Sequence, residues 1–171
     1  MSTPEQELKL FIGTKLVLAT PMTRGAYNFY RGWELPADED GADQGMLVEY
    51  VDGGQSNHPQ HKGYISWSPL EVFERAYRPT NGMTFGAAIE ALKIGKRVAR
   101  AGWNGKGMYL YHVAAGRYPP VSESAKLIAA EQPDGRVPYR DYIVMKTVTG
   151  EVVPWLASQS DVLDEDWMII D

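Results

Sequence analysis

A short segment, Arg78-Pro79-Thr80-Asn81-Gly82, separates two stretches of the chain that each have their own helix and strand patterns. Proline and glycine flank polar residues in this segment. Such segments are typical of linkers between domains because they interrupt regular backbone hydrogen bonding. The 171 residues suffice for one larger core or for two small ones. We therefore predict two domains, residues 1–79 and residues 80–171.

The second domain begins with the clearest helix signal in the chain. Thr84 is placed to cap a helix whose apolar residues follow the i, i+3, i+4, i+7 spacing, and Gly95 is placed to end it. Ser122 and Ser158 are candidate caps of two short helices further on. Strands are predicted at 97–103, 108–113, 142–147, 151–155 and 168–170. A helix followed mainly by hairpins predicts an α+β domain, with a small antiparallel sheet and packed helices.

The first domain is predicted to be a smaller α+β unit. Its strands are expected at 15–19, 46–51 and 64–67, with a short helix at 23–30. Ser68 and Glu71 have the spacing of a capping box, with Pro69 at the first position of a second helix. We assign no function to this domain from its pattern.

The charge and composition of the chain narrow the classes of partner. The formal net charge is −5, and the basic residues form no run, which disfavours DNA and RNA because polynucleotide binding needs a concentrated basic face. Cysteine is absent, which excludes disulfides and thiolate chemistry. With no apolar run near spanning length and no secretory leader in the sequence, we expect a cytoplasmic protein with no membrane partner.

The sequence offers no arrangement typical of catalysis. His58 and His61 lie in a polar loop, and His112 lies on a predicted strand without a serine or acid tied to it by a motif. The acidic residues around Asp161 and Asp164 match no calcium loop and are ordinary for a helix start. We therefore expect a protein that is not an enzyme, without metal or cofactor.

Aromatic and amide side chains favour nucleotide binding instead. Trp103 is followed by Asn104 at a predicted turn, and Trp155 lies in a segment, 154–159, that leads into a helix start. A base needs a flat apolar surface with donors and acceptors at its edge, and phosphates need amides or a cation such as Arg100 or Lys106. A tryptophan at a strand end also commonly packs in a core. We assign Trp167 to the core and treat Trp33 and Trp67 as packing residues.

Several motifs of the second domain closely resemble the second family of Thoeris anti-defense proteins, carried by phages and prophages. They are Met83-Thr84-Phe85-Gly86, Gly102-Trp103-Asn104-Gly105-Lys106-Gly107-Met108, Met145-Lys146-Thr147, the stretch from Val153-Pro154-Trp155 to Gln159, and Asp164-Glu165-Asp166-Trp167. The resemblance runs from about Met83 to Asp171. It implies a homotetramer that binds cyclised ADP-ribose isomers made by TIR-domain sensors, in pockets between protomers, and holds them without cleavage in the infected bacterial host. Some relatives are also similar in binding cyclic dinucleotides.

The resemblance carries specific roles onto this chain. It implies that Trp103 stacks on the base beside Asn104, that Trp155 walls the pocket, and that the segment after it supplies further contacts. The complete set of candidate ligand-binding residues is Trp103, Asn104, Met108, Trp155, Ala157, Ser158, Gln159 and Asp161. The minimal members of the family lack the first domain. Its segment from Gly63 to Pro79 resembles a small domain of phage proteins that is sometimes fused to the second domain.

Three alternatives stay open from the sequence. The chain can be a sponge for cyclic dinucleotides, an enzyme that degrades the nucleotide, or an inhibitor module that docks on a host or phage protein. The nature of the released ligand separates the first two from the main hypothesis. Capture of a protein by the first domain alone would favour the third.

Overall fold

The computed structural model describes residues 13–170, and the chain divides into two units, the first ending at Tyr77 and the second beginning at Arg78. The division lies two residues before the boundary predicted after Pro79. Within the described residues the fold is α+β, with antiparallel sheets and six helices. None of the helices formed by these residues is long and apolar enough to cross a membrane.

The first unit is a three-stranded sheet with two helices. Its elements are β1 (Val17–Pro21), α1 (Arg24–Arg31), β2 (Gly45–Tyr50), β3 (Ile65–Pro69) and α2 (Leu70–Ala76). β2 pairs antiparallel with both neighbours, so that Val48 lies between Ala19 and Ser66. Thr23 caps α1 by accepting a hydrogen bond from the Ala26 N–H at 3.2 Å. Tyr27, Leu47 and Ile65 form the buried core of this unit.

One prediction for the first unit is wrong. Ser68 does not cap a helix, because it pairs with Met46 inside β3, and α2 begins after Pro69 without a side-chain cap. Trp33 packs edge-to-face against the buried Tyr27, with ring centroids 6.2 Å apart, although 54% of its surface is exposed. The Arg31 guanidinium lies 4.2 Å from the centre of its ring. Trp67 is partly buried as predicted and donates from Nε1 to the Met22 carbonyl at 2.8 Å.

The second unit contains the remaining eleven elements of the described structure. They are α3 (Phe85–Lys93), β4 (Arg97–Arg100), α4 (Ala101–Asn104), β5 (Tyr109–Val113), β6 (Gly116–Tyr118), α5 (Glu123–Ala130), β7 (Val137–Tyr139), β8 (Tyr142–Lys146), β9 (Val152–Pro154), α6 (Gln159–Leu163) and β10 (Trp167–Ile170). Five strands form an antiparallel sheet in the order β10-β4-β5-β8-β9, while β6 and β7 pair as a separate ribbon.

Helix α3 packs on one face of the five-stranded sheet and defines the core of the second unit. The Thr84 hydroxyl caps it by accepting from the Ala87 N–H at 3.3 Å, and Gly95 follows it at a φ of 83°, as the sequence predicted. Leu92 of the helix is buried in one cluster with Val98, Leu110 and Trp167 of the strands. This arrangement leaves the opposite face of the sheet without α3.

The predicted hairpin around residues 104–107 has a different first arm. β4 ends at Arg100, and the chain turns into the short helix α4, which carries Trp103. The Ala101 N–H donates to the carbonyl of Asp166, the residue before β10, at 3.0 Å. This contact joins residues far apart in the sequence, so no local pattern reveals it. Trp103 therefore projects from a helical turn instead of a strand end.

Candidate functional site

Three tryptophans of the second unit lie together at the edge of its core. Ring centroids are 6.2 Å apart between Trp103 and Trp155, 5.5 Å between Trp103 and Trp167, and 5.9 Å between Trp155 and Trp167, with planes close to perpendicular. Phe85, the first residue of α3, lies 5.5 Å from Trp167. Edge-to-face contacts of this kind are favourable for aromatic rings. We call Phe85, Trp103, Trp155 and Trp167 the aromatic cluster.

The members of the aromatic cluster differ in exposure. Trp167 is fully buried, which confirms its assignment to the interior, whereas Trp103 and Trp155 are only partly buried against the core. Each arrives from a different element: α4, the residue after β9, and the start of β10. Trp103 and Trp155 thus pack on the core with one part of the ring system and face solvent with another.

The segment after Trp155 is held by a complete capping box. The Ser158 hydroxyl accepts from the Asp161 N–H at 3.2 Å, and Asp161 Oδ2 accepts from the Ser158 N–H at 2.9 Å. The Trp167 indole N–H donates to the Asp161 carbonyl at 2.9 Å, which ties the helix start to the aromatic cluster. Trp155, Ser158 and Asp161 are therefore brought together through Trp167.

Arg100 lies beneath this segment and is surrounded by carboxylates. Its Nε donates to Asp166 Oδ1 at 2.7 Å, its Nη1 to Asp161 Oδ1 at 3.1 Å, and its Nη2 to Asp164 Oδ2. The hydrogen bond to Asp166 is the largest influence on the guanidinium, and with the other two aspartates it raises the pKa of Arg100 above its ordinary value despite partial burial. We call Arg100 and the three aspartates the Arg100 clamp.

The Arg100 clamp corrects one expectation. Arg100 was a candidate phosphate contact, and its donors are instead engaged by protein carboxylates; the other candidate, Lys106, stays a prediction. No group of three or more His, Cys, Asp or Glu that could hold a metal ion is found among residues 13–170. Both carboxylate oxygens of Asp161 accept hydrogen bonds from protein groups. In this structure Asp161 therefore helps to hold residues 155–161 in place.

The other candidate residues lie around these groups. Ala157 is half-buried and Gln159 is exposed at the first position of α6, while Met108 is half-buried just before β5. Asn104 ends α4, and its side chain lies outside the described part of the structure. Phe85 was missed from the sequence as a neighbour of the site, although its position at a capped helix start was an available signal.

Comparison with known proteins identifies the fold unit that carries the aromatic cluster. Residues 83–170, just over half of the chain, match the family model described as the Thoeris anti-defense 2-like domain. The chain belongs to this family. A curated relative, Thoeris anti-defense 2 of Bacillus phage SP01, is 36% identical over 94 residues, which cover 52% of this chain and 94% of the relative. The resemblance inferred from the sequence motifs is thereby confirmed.

The Thoeris anti-defense 2-like domain contains the whole aromatic cluster and the Arg100 clamp. Both lie between Met83 and Ile170, and they link α3, α4, α6 and β10 of the domain.

The first unit lies outside the matched residues. Its histidines form a separate network, in which His61 Nδ1 lies 2.7 Å from Glu49 Oε2 and His61 Nε2 lies 3.0 Å from the Tyr30 hydroxyl. His61 is therefore a hydrogen-bonded, half-buried residue and not simply a solvated loop residue.

Proposed function

We propose that this chain is a phage anti-defense protein that binds and sequesters cyclised ADP-ribose isomers made by TIR-domain immune sensors, so that the Thoeris effector is not activated. It acts within the infected bacterial cell and releases its ligand unchanged. The observation that supports this most directly is the pair Trp103 and Trp155, partly exposed beside a rigidly capped segment in a Thoeris anti-defense 2-like domain.

The proposed ligand matches the chemistry of these residues. An adenine base stacks on Trp103, and Trp155, at 6.2 Å and nearly perpendicular to it, forms a wall of the same pocket. Stacking of one base on an aromatic side chain contributes on the order of 1 to 3 kcal/mol. Hydroxyl and amide groups of Ser158, Gln159 and the neighbouring backbone serve the ribose and phosphate oxygens. Nanomolar affinity, about −12 kcal/mol, requires several such contacts in a preformed pocket.

We further propose that the protein assembles as a homotetramer with its ligand pockets between protomers. Apolar side chains exposed on the second unit support association, and Leu156, which directly follows Trp155, is 91% exposed. Others that are strongly exposed are Val121, Leu127 and Leu163. Native mass spectrometry of the full chain tests this directly, and a monomer at micromolar concentration contradicts it.

Calorimetry with a cyclic ADP-ribose isomer tests the proposed function. Trp103→Ala is expected to weaken binding by about 5- to 150-fold, because a stacking surface worth about 1 to 3 kcal/mol is removed. Trp103→Phe retains an aromatic face and is expected to retain part of the affinity. Trp33→Ala, which removes an exposed tryptophan of the first unit, is the matched control and is expected to bind as the unmodified chain does.

The fate of the ligand separates sequestration from its alternatives. Ligand recovered after heat denaturation of the complex is expected to have its original mass; an altered mass would instead identify a degrading enzyme. Binding of a cyclic dinucleotide, with no uptake of any cyclised ADP-ribose isomer, would assign the pocket to that other signal. Unchanged affinity of the folded Trp103→Ala variant would remove Trp103 from the site.

A further inference from the structure

The face of the five-stranded sheet opposite α3 carries a groove with a chemistry different from that of the aromatic cluster. Val98 and Leu110 are buried against α3, and side chains alternate between the two faces of a strand. Arg97, Tyr109 and Tyr111 therefore lie on the other face. An open groove of about 390 Å³ is found there. Its lining residues are Gly95, Arg97, Tyr109, Tyr111, His112, Lys146 and Val152.

Two cations flank one aromatic ring in this groove. The Arg97 guanidinium carbon lies 5.1 Å from the centre of the Tyr109 ring, and Lys146 Nζ lies 5.9 Å from the same centre. The strand register explains the pairing, since Tyr109 of β5 lies directly opposite Lys146 of β8. Both charges therefore lie in the same part of the groove, and an anionic phosphate or diphosphate group seated there is attracted by both.

The charge balance of the groove is unusual for this chain. The chain has 22 acidic and 17 basic residues, yet no aspartate or glutamate lines the groove. Elsewhere in the second unit Arg100, Arg117 and Lys126 are ion-paired with carboxylates. Within residues 13–170, neither Arg97 nor Lys146 has a carboxylate partner. Lys146 donates instead to the Gly107 carbonyl at 3.2 Å. Both cations thus retain unused capacity for an anion.

A carboxylate does lie near one end of the lining. His112 Nε2 is 3.5 Å from Asp141 Oδ2, beyond a good hydrogen bond, and this nitrogen has no hydrogen-bond partner in the described structure. Asp141 is largely exposed, so solvent screens its charge at the position of Arg97 and Lys146. The electrostatic potential around Arg97 and Lys146 therefore stays positive and attracts anions.

We propose that Arg97, Tyr109 and Lys146 form a second ligand site, which takes a small organophosphate with an aromatic ring. The two cations hold the phosphate through charge-assisted hydrogen bonds, and the tyrosines Tyr109 and Tyr111 offer ring surface to the aromatic part. The site lies on a different face of the sheet from α3 and needs neither Trp103 nor Trp155. A negative result for this site would therefore leave the proposed sequestration of cyclised ADP-ribose untouched, and the reverse also holds.

Titration of the full chain with AMP, adenosine and inorganic diphosphate, followed by NMR, tests this site. AMP is expected to bind saturably with a dissociation constant below about 1 mM. Adenosine, which lacks the anion, is expected to bind at least about tenfold more weakly. Diphosphate is expected to compete with AMP.

Variants assign the binding to the groove. Arg97→Gln and Lys146→Gln are each expected to weaken AMP binding by about tenfold. Lys93→Gln is the charge-matched control, because Lys93 is exposed on α3 and paired with Glu90, and it is expected to leave AMP binding unchanged. Equal affinity for adenosine and AMP, an absence of saturable AMP binding, or unaltered binding by both groove variants would overturn the proposal.

Discussion

Replacing Arg100 with methionine keeps most of the side-chain length and removes the charge that three aspartates share. Arg100 and Asp161 are nearly buried, with 16% and 12% of their side chains exposed. Losing a charge-assisted hydrogen bond in such a setting costs about 1.5 to 3 kcal/mol. Asp164 and Asp166 are between a third and a half exposed, so together they add about 0 to 1 kcal/mol. We expect Arg100→Met to lower the free energy of unfolding of the second unit by about 2 to 4 kcal/mol.

Thermal unfolding of the full chain measures this loss, since each kcal/mol shifts the midpoint of a domain of this size by about 4 to 8 °C. Hydrogen exchange at the Trp167 indole N–H, which is bonded to the Asp161 carbonyl, assigns the loss to the second unit. Arg97→Met is the matched control. Arg97 lies on the same strand without a carboxylate partner among the described residues, and its loss is expected to cost less than about 1 kcal/mol. Equal stability of the two variants would refute the role assigned to the Arg100 clamp.

Two further predictions concern Gly63 in the first unit and the free energy of unfolding at acid pH. A Cβ at Gly63 would lie 2.0 Å from the Tyr50 carbonyl oxygen, so Gly63→Ala is expected to cost about 2 kcal/mol or more in urea unfolding, whereas Gly13→Ala, with open space around it, is expected to be neutral. Burial is the largest influence on Asp161 and raises its pKa, but hydrogen bonds from Ser158 and Arg100 outweigh burial and lower it. Such a carboxyl stabilises the fold above about pH 4 and loses that effect as pH falls through the folded pKa. The difference in unfolding free energy between about pH 6 and about pH 3 should therefore shrink in Arg100→Met.

Local sequence patterns predicted the elements whose cause is local. The caps at Thr84 and Ser158 use side chains that bond to backbone groups three residues away, and both occur as predicted. The capping box at Ser68 failed because pairing of Ser68 with Met46 extends β3 to Pro69. The ribbon of β6 and β7 was not predicted, since its two three-residue strands carry too little alternation to be recognised.

The sequence singled out Trp103 and Trp155 as candidates, but it gave no sign of the contacts that hold them in place. Trp103 and Trp155 stood out as aromatic residues beside amides, but the contact between them spans 52 positions and follows from the fold of the sheet. Arg100 resembled a free cation for phosphate because its partners, Asp161, Asp164 and Asp166, lie more than 60 residues away in the sequence. Long-range pairing of this kind leaves no periodic signal along the chain.

A protein that acts by retention alone depends on how much of its site is ordered before the ligand arrives. Ordering a segment during binding subtracts from affinity, whereas a segment ordered by folding does not. The capping box and the Arg100 clamp fix residues 158–161, and the Trp167 indole links that segment to the two partly exposed tryptophans. Arg100 touches no proposed ligand atom. If sequestration rests on this preorganisation, Arg100→Met, assayed at a temperature where it is fully folded, should weaken retention of the cyclic ADP-ribose isomer, while Arg97→Met should not.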